Sequence, residues 1–84
     1  MLSTKDKVVI YSKSWCPYCV RAKDLLKKYG FNDIKEIDIE LNEEMRNFMI
    51  EQTGRTSVPQ IFIGERHIGG FDDLSLIIQQ EEIL

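Results

Sequence analysis

Histidine occurs once in this chain, at His67, and cysteine twice, at Cys16 and Cys19. With no second thiol pair and no histidine cluster, the chain lacks the four-ligand set of a structural zinc site and the disulfide framework of a small secreted scaffold. Proline also occurs only twice, at Pro17 and Pro59. No apolar run approaches the length of a membrane span, and Met1 to Ser12 has no long apolar core behind a basic start. The expectation is a protein without signal peptide or membrane segment, working in the cytoplasm. Nor is there an excess of positive charge: 11 basic and 14 acidic residues are mixed along the chain for a net charge of −3, which argues against an electrostatic nucleic-acid binder. Eighty-four residues leave room for one domain, 1–84, and no linker.

The chain does have one concentrated feature. Ser14-Trp15-Cys16-Pro17-Tyr18-Cys19 holds both thiols between a β-branched, aromatic run, Val8-Val9-Ile10-Tyr11, and a segment from Arg21 to Tyr29 with apolar residues at helical spacing. Both sulfurs therefore sit where a strand turns into a helix. With Cys16 as N-cap, Pro17 falls at the first helical position, where its missing N–H costs nothing and its φ already suits the helix. The Cys16 sulfur then faces unpaired backbone N–H groups and the positive end of the helix dipole, which should lower its pKa, with Lys13 and Arg21 able to add to the effect. Residues three apart lie on one helix face, with Cα atoms about 5 Å apart, inside the range a disulfide bridges.

Three chemistries fit such a pair. A structural staple is the weakest, because a bridge closing a four-residue loop removes only about 2 kcal/mol of unfolded-state entropy, against about 3 kcal/mol for a 15-residue loop. Metal binding is the second, since C-x-x-C also supplies half of a zinc or copper site. Redox chemistry is the third, and in a reducing compartment a lone close pair favours it.

Periodicity predicts the remaining elements. Lys7 to Ser12 reads as the first strand and Pro17 to Tyr29 as the first helix, with Ala22, Leu25, Leu26 and Tyr29 inward and Gly30 at its end. Ile34 to Ile39 reads as a second strand, where Ile37, Ile39 and Leu41 alternate with Asp38 and Glu40. Asn42 is an N-cap with Glu43 and Glu44 in the first turn, Met45, Phe48 and Met49 inward, and Gly54 closing the helix. Gln60-Ile61-Phe62-Ile63, Gly64-Glu65 and Arg66-His67-Ile68 form a hairpin. Gly69-Gly70 breaks it, and Asp72 and Asp73 open a last helix with Leu74, Ile77 and Ile78 inward. The order is βαβ followed by ββα, an α/β fold. Pro59, just ahead of a strand, fits either a plain strand start or a cis bond.

Cys16-Pro17-Tyr18-Cys19, Ser57-Val58-Pro59 before Gln60-Ile61-Phe62-Ile63, and Gly69-Gly70-Phe71-Asp72-Asp73 together resemble the three signature segments of the dithiol glutaredoxins, nearly end to end. The short form resembles the compact bacterial members. The resemblance implies a thioredoxin-like fold, a four-stranded mixed sheet flanked by three helices, with activity as a glutathione-dependent thiol–disulfide oxidoreductase. Glutathione is then a cosubstrate, with no tightly bound cofactor and no metal. Partners would be glutathionylated or disulfide-bearing proteins, ribonucleotide reductase among them, and the enzyme would act as a monomer.

Residue roles follow from the same resemblance. Cys16 is the nucleophile and the more buried Cys19 the resolving thiol. A cis Val58-Pro59 bond, beside Ser57, leaves the Val58 N–H and C=O to pair with the cysteinyl backbone of glutathione. The helix start at Gly70, Phe71 and Asp72 takes the γ-glutamyl carboxylate on backbone N–H groups, with the Asp72 side chain meeting the ammonium or capping the helix. Lys13 and Arg46 meet the glycyl carboxylate, and Tyr18 lines the site. Phe71 departs from relatives that carry Cys or Ser there, which removes a third thiol. Trp15 and His67 receive no role. Two alternatives stay open: an iron–sulfur carrier sharing a cluster between two Cys16 thiolates and two glutathiones, against which Pro17 weighs, and a C-x-x-C metallochaperone.

Overall fold

The computed structural model describes residues 1–84. The order is β1 (Val8–Ser12), α1 (Pro17–Lys28), β2 (Ile34–Asp38), α2 (Glu43–Thr53), β3 (Gln60–Ile63), β4 (Arg66–Gly69) and α3 (Phe71–Gln80). The strands form one sheet in the order β2-β1-β3-β4. β1 pairs parallel with β2, Val8 opposite Ile34 and Ser12 opposite Asp38, and antiparallel with β3, Val8 opposite Ile63. β3 and β4 form the antiparallel hairpin. This is the thioredoxin-like, four-stranded mixed sheet that the resemblance implies.

Alternation along β1 sends its side chains to two different layers. Val8 and Ile10 join Ala22 and Leu26 of α1, Ile61 and Ile63 of β3, and Leu74 and Ile78 of α3 in the main core. Val9 and Tyr11 face the other way, toward Ile39, Met49 and Phe62. Helices therefore cover both faces, α1 and α3 one and α2 the other. The ends are set locally. Asn42 Oδ1 accepts the Met45 N–H at 3.1 Å to start α2, and Gly54, at φ 71°, donates its N–H to Ile50 O at 2.8 Å to stop it.

Four inward assignments differ from expectation. Tyr29 lies at the α1 C-cap, past the last full turn, and is exposed. β2 ends at Asp38, so Leu41 leaves the alternation for a bend and is 87% exposed. On α2 only Met49 is fully buried, whereas Phe48 is exposed and Met45 only half-buried. Period alone marks these side chains as one stripe, but of the three only Met49 reaches the cluster with Tyr11 and Ile39. Leu25 of α1 and Ile77 of α3 are half-buried but pack against the main core, as their inward placement expects.

The two chain ends are clasped together. The Leu2 N–H donates to Glu82 O and the Leu84 N–H to Leu2 O, each at 2.8 Å. Beside them Glu81 receives Arg66 of β4 at 2.8 Å and the Met1 ammonium at 2.6 Å. The Arg66 contact, followed by the Met1 ammonium, holds the Glu81 carboxyl down at about 2. A carboxyl depressed in the folded state stabilises above its ordinary range near 4.5 and loses that contribution as pH falls toward 2. Thermal melting of the wild type and of Glu81→Gln should therefore differ at neutral pH and converge as pH drops to about 2. A gap that stays constant across that range contradicts the clasp.

Candidate active site

Cys16 is the N-cap of α1, with extended φ/ψ of −90° and 109°, and Pro17 follows at the first helical position. Its Sγ accepts the Cys19 backbone N–H at 3.2 Å, so a sulfur fills the place that a serine or aspartate oxygen usually takes at a helix start. Both cysteines are free; Cys16 is half-buried while Cys19, one turn in and facing the sheet, is 1% exposed. Burial, and then the hydrogen bond with Cys16, push the Cys19 thiol up to about 12. The Cys16 and Glu36 charges act in the same direction, and only a hydrogen bond with the Lys13 backbone opposes them. The two thiols are thus made unequal by position on one helix turn.

The loop before β3 meets Cys16 from the other side. Val58-Pro59 is cis, and Val58 O lies 4.0 Å from Cys16 Sγ. Because β3 begins at Gln60, the sheet does not use the Val58 backbone. A cavity of about 310 Å³ opens beside it, bringing together Tyr18, Ser57, Val58, Pro59, Gly70, Phe71 and Asp72, all of them expected from the sequence. Phe71 packs its ring against Tyr18, centroids 5.9 Å apart. Arg21 lies 5.2 Å above the Tyr18 ring. Lys13 and Arg46 do not line this cavity. They share a second depression, about 410 Å³, with Ile39, Glu40 and Glu43.

Three further residues line the first cavity without having been anticipated: Arg55, Gln60 and Asp73. Asp73, and not Asp72, caps α3, its Oδ2 accepting the Gly70 N–H at 2.9 Å. Arg55 bonds the same oxygen at 3.1 Å. The Gly70 N–H first and Arg55 second hold the Asp73 carboxyl below the ordinary range. Asp72 is left exposed at the cavity, its side chain making no hydrogen bond in the chain. Gln60, 1% exposed, donates from Nε2 to Ser57 O at 3.0 Å, while its Oε1 lies 2.9 Å from His67 Nε2. His67 stands outside the cavity and steadies the Ser57 loop through Gln60. Burial, and then Arg55, lower its pKa, which favours the uncharged ring beside Gln60.

Sequence and fold together can be set against known proteins. The family model described as Glutaredoxin matches residues 8–68. The chain belongs to the glutaredoxin family. It is similar to glutaredoxin 3 of Escherichia coli, 54% identical over 67 residues that make up 80% of each chain. Among solved structures it is similar to the glutaredoxin from Brucella melitensis, with TM-score 0.76 and 45% identity over 89% of this chain and 80% of that one. A buckwheat glutaredoxin–glutathione complex superposes with TM-score 0.79 and 29% identity over 92% and 72%. As a glutaredoxin, this protein is a glutathione-dependent thiol–disulfide oxidoreductase.

Gly69 shows how tightly this glutaredoxin builds the cavity wall. It sits at φ 116°, and a Cβ there would collide with the Asp73 carboxylate. Gly69→Ala should therefore displace Asp73 from the Gly70 N–H and cost at least about 1 kcal/mol by chemical denaturation, from the lost cap added to backbone strain. Unchanged stability in that variant contradicts the assigned cap.

Proposed function

We propose that the enzyme removes glutathione from glutathionylated proteins and reduces protein disulfides, with Cys16 as nucleophile and Cys19 as resolving thiol. The observation that carries this reading is the inequality of the two sulfurs beside one cavity. Cys16 accepts a backbone N–H and is partly open, whereas Cys19 is closed off and its thiol is pushed up to about 12. Attack by Cys16 on a glutathionyl sulfur releases the protein thiolate and leaves glutathione on Cys16; a second glutathione then regenerates the thiolate and departs as glutathione disulfide. With a protein disulfide, Cys19 displaces the substrate from Cys16 and closes the internal disulfide.

Glutathione fits the site as an extended strand. The Val58 backbone is free to pair with its cysteinyl unit. The start of α3, with the Phe71 and Asp72 N–H groups and the Asp72 carboxylate, suits the zwitterionic γ-glutamyl end. Lys13 and Arg46, together in the neighbouring depression, suit the glycyl carboxylate. Tyr18, Ser57, Pro59 and Gly70 complete the wall. The buckwheat complex, of the same fold, supports glutathione as the ligand. A lone reactive dithiol belongs in a reducing compartment, and we place the enzyme in the cytoplasm as a monomer, with ribonucleotide reductase one candidate acceptor.

Substitution of each cysteine tests the roles separately. Cys16→Ser should abolish both reactions, while Cys19→Ser should keep or speed deglutathionylation of a small mixed disulfide and lose most reduction of a protein disulfide. Two variants that behave alike in both assays would overturn the assignment, and visible absorption after anaerobic expression would favour the cluster-carrier reading. Arg46→Ala and Asp72→Ala should each raise the KM for glutathione by about 10- to 100-fold, the loss expected for one charge-assisted contact, with little change in melting. An unchanged KM in both removes these residues from the site.

A further inference from the structure

Glutathione in the cavity beside Tyr18 leaves the opposite flank of Cys16 uncovered. The Cys16 N–H donates to Lys13 O at 3.3 Å, closing a turn whose corners are Ser14 and Trp15. Trp15 is therefore thrust outward, 72% exposed, immediately before the nucleophile. Its indole lines none of the cavities. It also takes no part in the ring contacts that engage Tyr11, Tyr18, Phe62 and Phe71. Pro17 and Val20, three residues apart and so on neighbouring parts of α1, are both exposed and extend this apolar surface. At about 100° per residue, Val20 and Tyr18 lie on opposite sides of the inward-facing Cys19, so the Val20 flank turns away from the cavity that Tyr18 lines. Further along, α1 adds Lys27 and Lys28 to Arg21, which lies over the Tyr18 ring, and Lys23, which pairs with Glu36, against the single acid Asp24.

We propose that this flank, anchored by Trp15, seats the polypeptide side of the protein substrate: an extended segment with a large apolar residue beside its reactive cysteine and acidic residues beyond it. The inference rests on the functional reading above. A protein delivering a mixed disulfide to Cys16 has to lay its chain beside that sulfur, and with glutathione on the Tyr18 side, the Trp15 flank is the surface continuous with the reacting atoms. Burying an exposed indole is the kind of contact that dominates interface energetics, and the cations of α1 complement an acidic tail. In the step so favoured, the Cys16 thiolate forms a bond to the glutathionyl sulfur. The peptide sulfur leaves with the electron pair of the broken S–S bond and takes a proton from water. A second glutathione then reduces the Cys16–glutathione disulfide.

Three glutathionylated heptapeptides test this: one with leucines beside the cysteine and aspartates beyond, one with serines replacing the leucines, and one with lysines replacing the aspartates. The first should be turned over with a kcat/KM about tenfold above either of the others, on the scale of one interface anchor. Trp15→Ala should erase the leucine preference while turnover of a small glutathionylated disulfide stays within about twofold. Independently, trapping the leucine peptide on Cys16 in the Cys19→Ser protein should shift the emission of the single tryptophan to the blue. Equal rates for all three peptides, a leucine preference that survives Trp15→Ala, or unchanged emission in the trapped complex would overturn the docking surface. Loss of turnover on every substrate, the small disulfide included, would instead overturn the functional reading itself.

Discussion

The hydrogen bond from the Cys19 N–H to the Cys16 sulfur, 3.2 Å long, is the contact on which the site depends. It exists because Cys16 occupies an N-cap and Pro17 starts the helix without needing a partner for its own nitrogen. The same turn that offers Cys16 a donor places Cys19 against the sheet, where no water reaches it. One backbone arrangement therefore sets the chemistry of both sulfurs, and neither property can be altered without moving the start of α1.

The surrounding structure holds that turn in place. Ser12, at the end of β1, donates to Glu36 of β2 at 2.6 Å, and Lys23 of α1 reaches the same carboxylate at 3.0 Å. The Ser12 bond is the main reason that the Glu36 carboxyl lies below its ordinary range, with Lys23 adding to it. Strand, neighbouring strand and helix are thereby tied close to the buried thiol, whose charge-free state the Glu36 carboxylate favours. On the far side, Gln60 tethers the Ser57 loop and Asp73 caps α3. The cavity beside Cys16 is thus bounded by three elements, each fixed by its own local hydrogen bond.

Much of this was legible from residue patterns. Pro17 after Cys16, Asn42 before two glutamates and Gly54 after an amphipathic run each mark a helix boundary for a stereochemical reason, and the structure places them there. That Val58, Gly70 and Phe71 would line one cavity was legible through the family resemblance more than through spacing. What escaped was what depends on tertiary contact. Asp72 and Asp73 are equivalent by type, and only the approach of Arg55 and the turn at Gly69-Gly70 decide that Asp73 is the cap. Leu41 and Phe48 fit their periodic stripes, yet stay exposed, Leu41 because β2 ends early and Phe48 because Met49 takes the place against Tyr11 and Ile39. Gln60 and His67 read as ordinary strand residues, and their bond across the hairpin appears only once β3 and β4 are paired.

The inequality of the two sulfurs is tested most directly by alkylating the reduced protein with iodoacetamide over a range of pH and locating the label by peptide mass. The account predicts that Cys16 is modified first and that Cys19 in the intact fold remains unlabelled until strongly alkaline solution, consistent with a thiol held at about 12. Labelling of both cysteines at the same rate near neutral pH would contradict it.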